Sequence, residues 1–227
     1  MKVLVVGATG GSGRAAVGEL LRRGHEVTAF SRHASRLVAG TSGRVRAIDG
    51  DATDPVDVDR AVCGQDAVIV TLGISENPLR VRLRGASGTP TDVRSRGTRT
   101  VMEAMRRHGV RRLVVQTSYG VGATRDRLAA PQRLIFWLLL RPQIADTERQ
   151  DGDVRASGLD WINVQPVNLT DDDLPGLPFA STSGEVRSIK VARARVGRFL
   201  AESIEGSAYI GQTVALSAGA TTRVSTG

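Results

Sequence analysis

The sequence predicts an α/β fold, a doubly wound parallel sheet with a small C-terminal portion, and three observations carry that reading. Strand and helix signals alternate along the chain, which is the pattern of a parallel sheet covered by helices on both faces. The first strand signal runs directly into glycines spaced three apart and then into a segment of helical periodicity. The 227 residues, 41% hydrophobic and 24% charged, suit one soluble domain with a two- or three-layer core.

Lys2–Val6 reads as a buried strand because four apolar residues run together before Gly7. Gly11–Arg23 reads as a helix, since Ala15, Ala16, Leu20 and Leu21 recur at helical spacing up to Gly24. Glu26–Phe30 and Arg44–Ile48 are further strands, Pro55–Val62 a short helix and Ala67–Leu72 a strand. A helix over Thr91–His108 and a strand over Arg112–Gln116 continue the alternation. Pro131–Ala156 reads as largely helical and Asp160–Val164 as a strand. Late strands fall near Val186–Val191 and Thr213–Leu216, with a helix between them. The polar loops Glu76–Pro90 and Thr170–Gly184 both follow strands, so residues 76–90 and 167–192 are the expected rim of a substrate pocket within a single domain, 1–227.

Gly7, Gly10 and Gly13 stand at the turn between the first strand and the first helix. Strand, glycine turn and helix in that order build a dinucleotide site of the Rossmann type. Gly7 lets the chain turn sharply, Gly10 lets backbone approach a pyrophosphate, and Gly13 lets the helix pack on the sheet. The helix N-terminus then offers free N–H groups and the positive end of its dipole to the phosphates. Thr9, Gly11 and Ser12 complete the turn.

The end of the second strand reads Phe30-Ser31-Arg32, with Arg36 four residues on. An NAD-selective site carries a carboxylate there for the ribose hydroxyls. A hydroxyl and a guanidinium suit a 2′-phosphate instead, so NADP(H) is favoured over NAD(H). Arg36 also reads as a solvated loop charge. Asp51, after the third strand, is placed to accept from an adenine amino group or to serve as a turn residue.

The net charge of +8 is carried by arginine spread over the whole chain, with no aromatic-interleaved basic stripe of the kind single-strand binders use. Nucleic acid is therefore not an expected partner. The single cysteine, Cys63, excludes an internal disulfide and reads as a small hydrophobe at a helix end. The longest apolar run, Leu134–Leu140, falls far short of the roughly 20 residues of a spanning helix, and no signal peptide precedes the first strand, so a cytoplasmic protein without a membrane partner is expected. That run suits a buried helix, or alternatively a lid or dimer face; a monomer or homodimer is expected. His25, His33 and His108 read as surface residues, and Asp171-Asp172-Asp173 as a solvated turn, so no metal site is expected.

Taken together, VVGATGGSG (5–13), VTAFSR (27–32), GQDAVIVTLG (64–73), the run from Asp92 to Ser118 and VRASGLDWINVQP (154–166) resemble the atypical short-chain dehydrogenase/reductases with an NAD(P)H-binding domain. The nearest branches are the flavin reductase/biliverdin-IXβ reductase-like and the NmrA-like proteins. The resemblance implies nucleotide contacts from Gly7 to Gly13, Arg32, Asp51, Ala52, Leu72 and Gly73. It also implies that Thr117, Ser118, Pro166 and Val167 lie beside the nicotinamide. The chain departs from relatives in three places. No Tyr-x-x-x-Lys pair exists, since Ala123 stands four residues after Tyr119 and Thr213 four after Tyr209. Val167-Asn168 replaces a histidine found after the proline in the flavin reductase-like branch, and Arg195 replaces an aspartate at the start of the last helix.

Ser118 and Tyr119 are the candidate catalytic residues, a hydroxyl pair at the end of the fifth strand that would orient or protonate an acceptor. The expected activity is NADPH-dependent reduction of a small planar aromatic, flavin- or quinone-like molecule. Such an acceptor needs no strong acid, because its reacting atom sits in an electron-poor ring. Two alternatives share the fold: an epimerase, cyclase or dehydratase without net redox, and an NmrA-like NADP-binding redox sensor without turnover.

Overall fold

The computed structural model describes residues 1–37, 44–73, 90–127 and 130–219, with the backbone alone for 130–142. Eight strands form the main sheet in the order β3-β2-β1-β4-β5-β6-β10-β8. They are β1 (Lys2–Val6), β2 (Glu26–Ser31), β3 (Val45–Asp49), β4 (Ala67–Val70), β5 (Arg112–Gln116), β6 (Asp160–Pro166), β8 (Phe179–Ser181) and β10 (Gln212–Ser217). All pairs are parallel except β10 with β8. Two three-residue strands, β7 (Asn168–Thr170) and β9 (Lys190–Ala192), pair in parallel outside it. The helices are α1 (Gly11–Arg22), α2 (Pro55–Val62), α3 (Val93–Arg107), α4 (Ala130–Arg155) and α5 (Arg193–Glu205). The expected doubly wound sheet is therefore the observed one.

Alternation along β1 divides the core. Val3 and Val5 pack with Ala16, Val17 and Leu20 of α1 and Val196 and Leu200 of α5. Leu4 and Val6 pack with Val58 and Val62 of α2 and Val101 and Met105 of α3. Successive side chains of a strand point to opposite faces, so a fully apolar strand feeds two layers. The strand order reverses at β1, which pairs with β2 on one side and β4 on the other. A ligand crevice opens outside the carboxyl ends of strands at such a switch point.

Several boundaries differ from expectation. β4 ends at Val70, one bond short of its contact with β1: Val6 O still accepts from Thr71, from its N–H at 2.9 Å and its hydroxyl at 3.1 Å. β5 has the expected bounds, Arg112–Gln116, so Ser118 and Tyr119 lie in the turn beyond it rather than at its end. The strand expected near Val186–Val191 is confined to Lys190–Ala192. Upstream of it, Arg187 N–H bonds the Ser217 hydroxyl (3.0 Å) instead of a strand ladder. The Thr170–Gly184 loop contains β8.

His25 is buried, not a surface residue, with Nε2 2.8 Å from Glu205 of α5. Cys63 does sit at the helix end but is exposed, so it is not a packed hydrophobe. The 76–89 part of the expected pocket rim and the side chains of Leu134–Leu140 lie outside the described residues. No helix among the described residues is long and apolar enough to cross a membrane.

Candidate active site

A cleft of about 520 Å³ lies at the carboxyl ends of the strands around the β1 switch point. Its floor is the glycine turn. Gly7 has φ +84, and a Cβ there would come within 2.8 Å of Thr71 O. Only glycine meets both conditions. A Cβ on Gly13 would overlap Gly7 O, so its absence lets α1 start flush against the turn. Gly10 differs: a Cβ there meets only Gly7 O, at 3.4 Å. What Gly10 keeps clear is the space above the loop, not the protein's own packing. The first i→i−4 bond of α1 runs from Arg14 N–H to Gly10 O (2.8 Å), so the N–H groups of Gly11, Ser12 and Gly13 precede the helical ladder at its positive end.

One side of the cleft is formed by Phe30, Ser31, Arg32 and His33 after β2 and by Gly50, Asp51 and Ala52 after β3. No carboxylate follows β2 directly. The carboxylate across from Ser31 is Asp49. Both its oxygens accept from Ser35, from N–H and hydroxyl, each at 2.8 Å. The Ser35 N–H and hydroxyl hold its pKa below the ordinary aspartate value. Asp51 is half of both expectations: it lines the cleft, and its Oδ1 accepts from Thr53 N–H (2.8 Å) and hydroxyl (2.9 Å) in a turn.

The other side is formed by Thr71, Leu72, Gly73, Pro90, Val93, Arg94, Gln116, Leu169, Asp171 and Arg193. Arg94 is placed from a distance in sequence. Asp92, the residue preceding α3, makes no side-chain cap; Asp146 of α4 caps α3 instead. It accepts from Arg94 N–H (3.0 Å) and from Ser95 N–H (3.1 Å). Burial pulls the Arg94 guanidinium below its ordinary pKa, while the Asp146 charge opposes that shift. Arg94 Nε, Gln116 Oε1 and Thr117 Oγ1 are buried atoms without a hydrogen-bond partner among the described residues. Such atoms are costly unless something polar meets them.

Of the expected site residues, Gly7, Thr9, Gly10, Gly11, Ser12, Arg32, Asp51, Ala52, Leu72 and Gly73 share the cleft lining. Gly13, Arg36, Thr117, Ser118, Tyr119, Pro166 and Val167 are not among the lining residues. Arg36 stands in the 3-10 turn Ala34–Leu37. Thr117 N–H bonds Val164 O (2.8 Å) and Tyr119 N–H bonds Pro166 O (3.1 Å), which ties the turn after β5 to β6. Tyr119 is buried, its hydroxyl donates to Gly184 O (3.0 Å), and burial raises its pKa. Leu169 and Asp171 fall within the expected 167–192 rim, whereas Arg94, Gln116 and Arg193 were not among the expected cleft residues. A lone arginine or glutamine carries no local signal; the sheet order brings these three to the cleft.

The glycine cradle, the helix N-terminus and the unpartnered polar atoms fit a dinucleotide. A family model described as NAD(P)H-binding matches residues 7–206. Over 122 residues, 53% of this chain and 34% of the relative, the sequence is 36% identical to a 2-alkyl-3-oxoalkanoate reductase of Stenotrophomonas maltophilia. The chain therefore spans about a third of the length of that curated relative. The fold is similar to that of ChuY, an anaerobillin reductase from Escherichia coli O157:H7, with a TM-score of 0.75 and 23% identity over 95% of this chain and 96% of the other. It is also similar to a short-chain dehydrogenase/reductase from Veillonella parvula in complex with NADP, with a TM-score of 0.72 and 15% identity over 97% and 95% of the two chains. This chain belongs to the NAD(P)H-binding family.

Proposed function

We propose that this member of the NAD(P)H-binding family is an NADPH-dependent oxidoreductase whose acceptor is a small planar aromatic, flavin- or quinone-like molecule. The observation that carries the reading is the cleft itself. It joins a glycine cradle at a helix N-terminus to a Ser31-Arg32 end of β2 with no carboxylate, and the neighbouring Asp49 is committed to Ser35. The nicotinamide cofactor supplies hydride when bound. The protein's part is to hold the pyrophosphate over Gly10–Gly13, to grip the 2′-phosphate through Arg32 with Arg36 behind it, and to position the ring near Thr117, Ser118, Pro166 and Val167. In this reading Leu169 and Asp171, which line the cleft, face the acceptor.

The acceptor class follows from what the site lacks. Proton transfer by tyrosine needs a lowered pKa. Tyr119 has no lysine four residues on, its proton is given to Gly184 O, and its pKa moves up. Ser118 is the candidate for orienting the acceptor. An electron-poor ring that takes hydride without a strong acid matches this equipment.

Loss of NADPH absorbance with flavin and quinone acceptors tests the activity. Turnover supports the reading. Tight NADPH binding with no turnover on any acceptor would favour an NADP-binding sensor, and product without NADPH consumption would favour a non-redox isomerising or dehydrating enzyme. The cofactor preference has its own test. Arg32→Ala should weaken NADPH by roughly tenfold or more, the scale of a lost charged hydrogen bond, and scarcely change NADH. Equal weakening of both would show that Arg32 does not read the 2′-phosphate.

A further inference from the structure

Arg193 opens α5 directly beside the glycine turn. A Cβ placed on Gly11 would lie 2.6 Å from Arg193 Cδ and 2.7 Å from its Nε. The two helices run side by side and parallel: Arg193 lies against Gly11, a Cβ on Gly197 would lie 2.6 Å from Ala15 C, and Glu205 pairs with Arg23 at 2.7 Å. Both helices thus begin at the cleft, and Gly11 and Arg193 both line it.

The Arg193 guanidinium is ion-paired with Asp171, which also lines the cleft. Asp171 is 87% exposed and Arg193 29%. An ion pair open to water on one side is weak and easily exchanged. Arg195 and Arg198 bind the same segment differently. Arg195 Nε donates to Pro175 O (3.0 Å), and Arg198 donates to the carbonyls of Leu174 and Gly176. Three arginines of one helix therefore hold Asp171–Gly176, and among the described residues Arg193 does so through a carboxylate while Arg195 and Arg198 do so through carbonyls. The two carbonyl straps do not depend on what Arg193 binds.

Resting on the reading of the cleft as a dinucleotide site, we propose that Arg193 grips the cofactor's pyrophosphate and that Asp171 is the carboxylate it holds until the cofactor arrives. A phosphate offers the guanidinium charged oxygens in fork geometry, next to the N–H groups that open α1. As the phosphate takes Arg193, the Asp171 carboxylate is released at the start of the segment that leads from β7 to β8. Cofactor binding is thereby linked to the acceptor side of the cleft, while Arg195 and Arg198 keep the rest of the segment in place.

A double-mutant cycle on NADPH affinity tests this. Arg193→Ala should weaken NADPH about tenfold, and Arg193→Lys should recover part of the loss. Asp171→Asn, at an exposed position that tolerates change, should tighten NADPH about threefold by removing the competitor. In the Arg193→Ala background, Asp171→Asn should have no effect. Unchanged affinity in Asp171→Asn alone would overturn the proposal. So would the same tightening with and without Arg193, since the carboxylate would then act only by repelling phosphate. If the unaltered protein binds no NADPH, the dinucleotide reading itself falls; if it binds NADPH and the cycle shows no coupling, only the role of Arg193 and Asp171 falls.

Discussion

Tyr119 and Ser118 are adjacent in sequence yet differ in what they are free to do. The Tyr119 hydroxyl is given to Gly184 O at 3.0 Å in a buried setting that raises its pKa, so its structural role is to anchor the chain after β8. Ser118 is half-buried beside it. Ser118→Ala should lower kcat more than it weakens NADPH binding, and Tyr119→Phe should change kcat less while costing stability of about 1 kcal/mol from the lost hydrogen bond. Steady-state kinetics on any acceptor that turns over, with cofactor affinity measured separately, checks both. Full activity in the double variant would mean that the protein supplies no acid here, so that the site works by orientation alone or the hydride reading is wrong. The hydroxyls at 118 and 119 were legible in the sequence, whereas the bond from Tyr119 to a carbonyl 65 residues away was not. Glu19 shows the same limit. Hydrogen bonds from Arg22, then Arg23, lower its pKa to about 2 from 4.5 against the opposing effect of burial. A depressed carboxylate stabilises the fold above its unfolded value and loses that stability as pH falls through the folded one. Acid titration of unfolding should therefore show about 1–2 kcal/mol lost between pH 4.5 and 2, much of it absent in Glu19→Gln. Parallel curves for the two proteins would contradict the assignment.

Among the elements, those with ten or more residues or a buried apolar run were readable from period and punctuation. The glycine turn was the clearest, because strand, glycines and helix adjoin in sequence and the φ of +84 at Gly7 is a local demand. The three-residue strands β7, β8 and β9 are too short for any period to show, and their pairing is decided by tertiary contacts. Helix capping was also hidden. α3 takes its cap from Asp146 on α4, more than fifty residues away, because Asp92 makes none. Asp146→Ala should cost about 1–2 kcal/mol in equilibrium denaturation, the scale of a lost N-cap, and should loosen Arg94 at the cleft. Unchanged stability would show that water replaces the carboxylate there.

At the scale of the whole molecule, the sheet order does what no single segment does: it sets the glycine turn, the end of β2, the start of α3 and the start of α5 around one cleft. Half of that cleft is legible as sequence motif and half arises only on folding. In the proposed reading NADPH occupies this cleft, with its pyrophosphate over Gly10. Binding to the native state alone must raise the stability of the whole fold, by about 2.7 kcal/mol at a hundred times Kd. The direct measurement is calorimetric titration of NADPH into the unaltered protein and into Gly10→Val, with thermal unfolding of each alone and with cofactor. A Cβ at Gly10 meets only one backbone oxygen, at 3.4 Å, so the variant should fold with a nearly unchanged Tm. The unaltered protein should show saturable binding and a raised Tm, and Gly10→Val neither. Equal NADPH affinity in the two proteins would overturn the dinucleotide assignment.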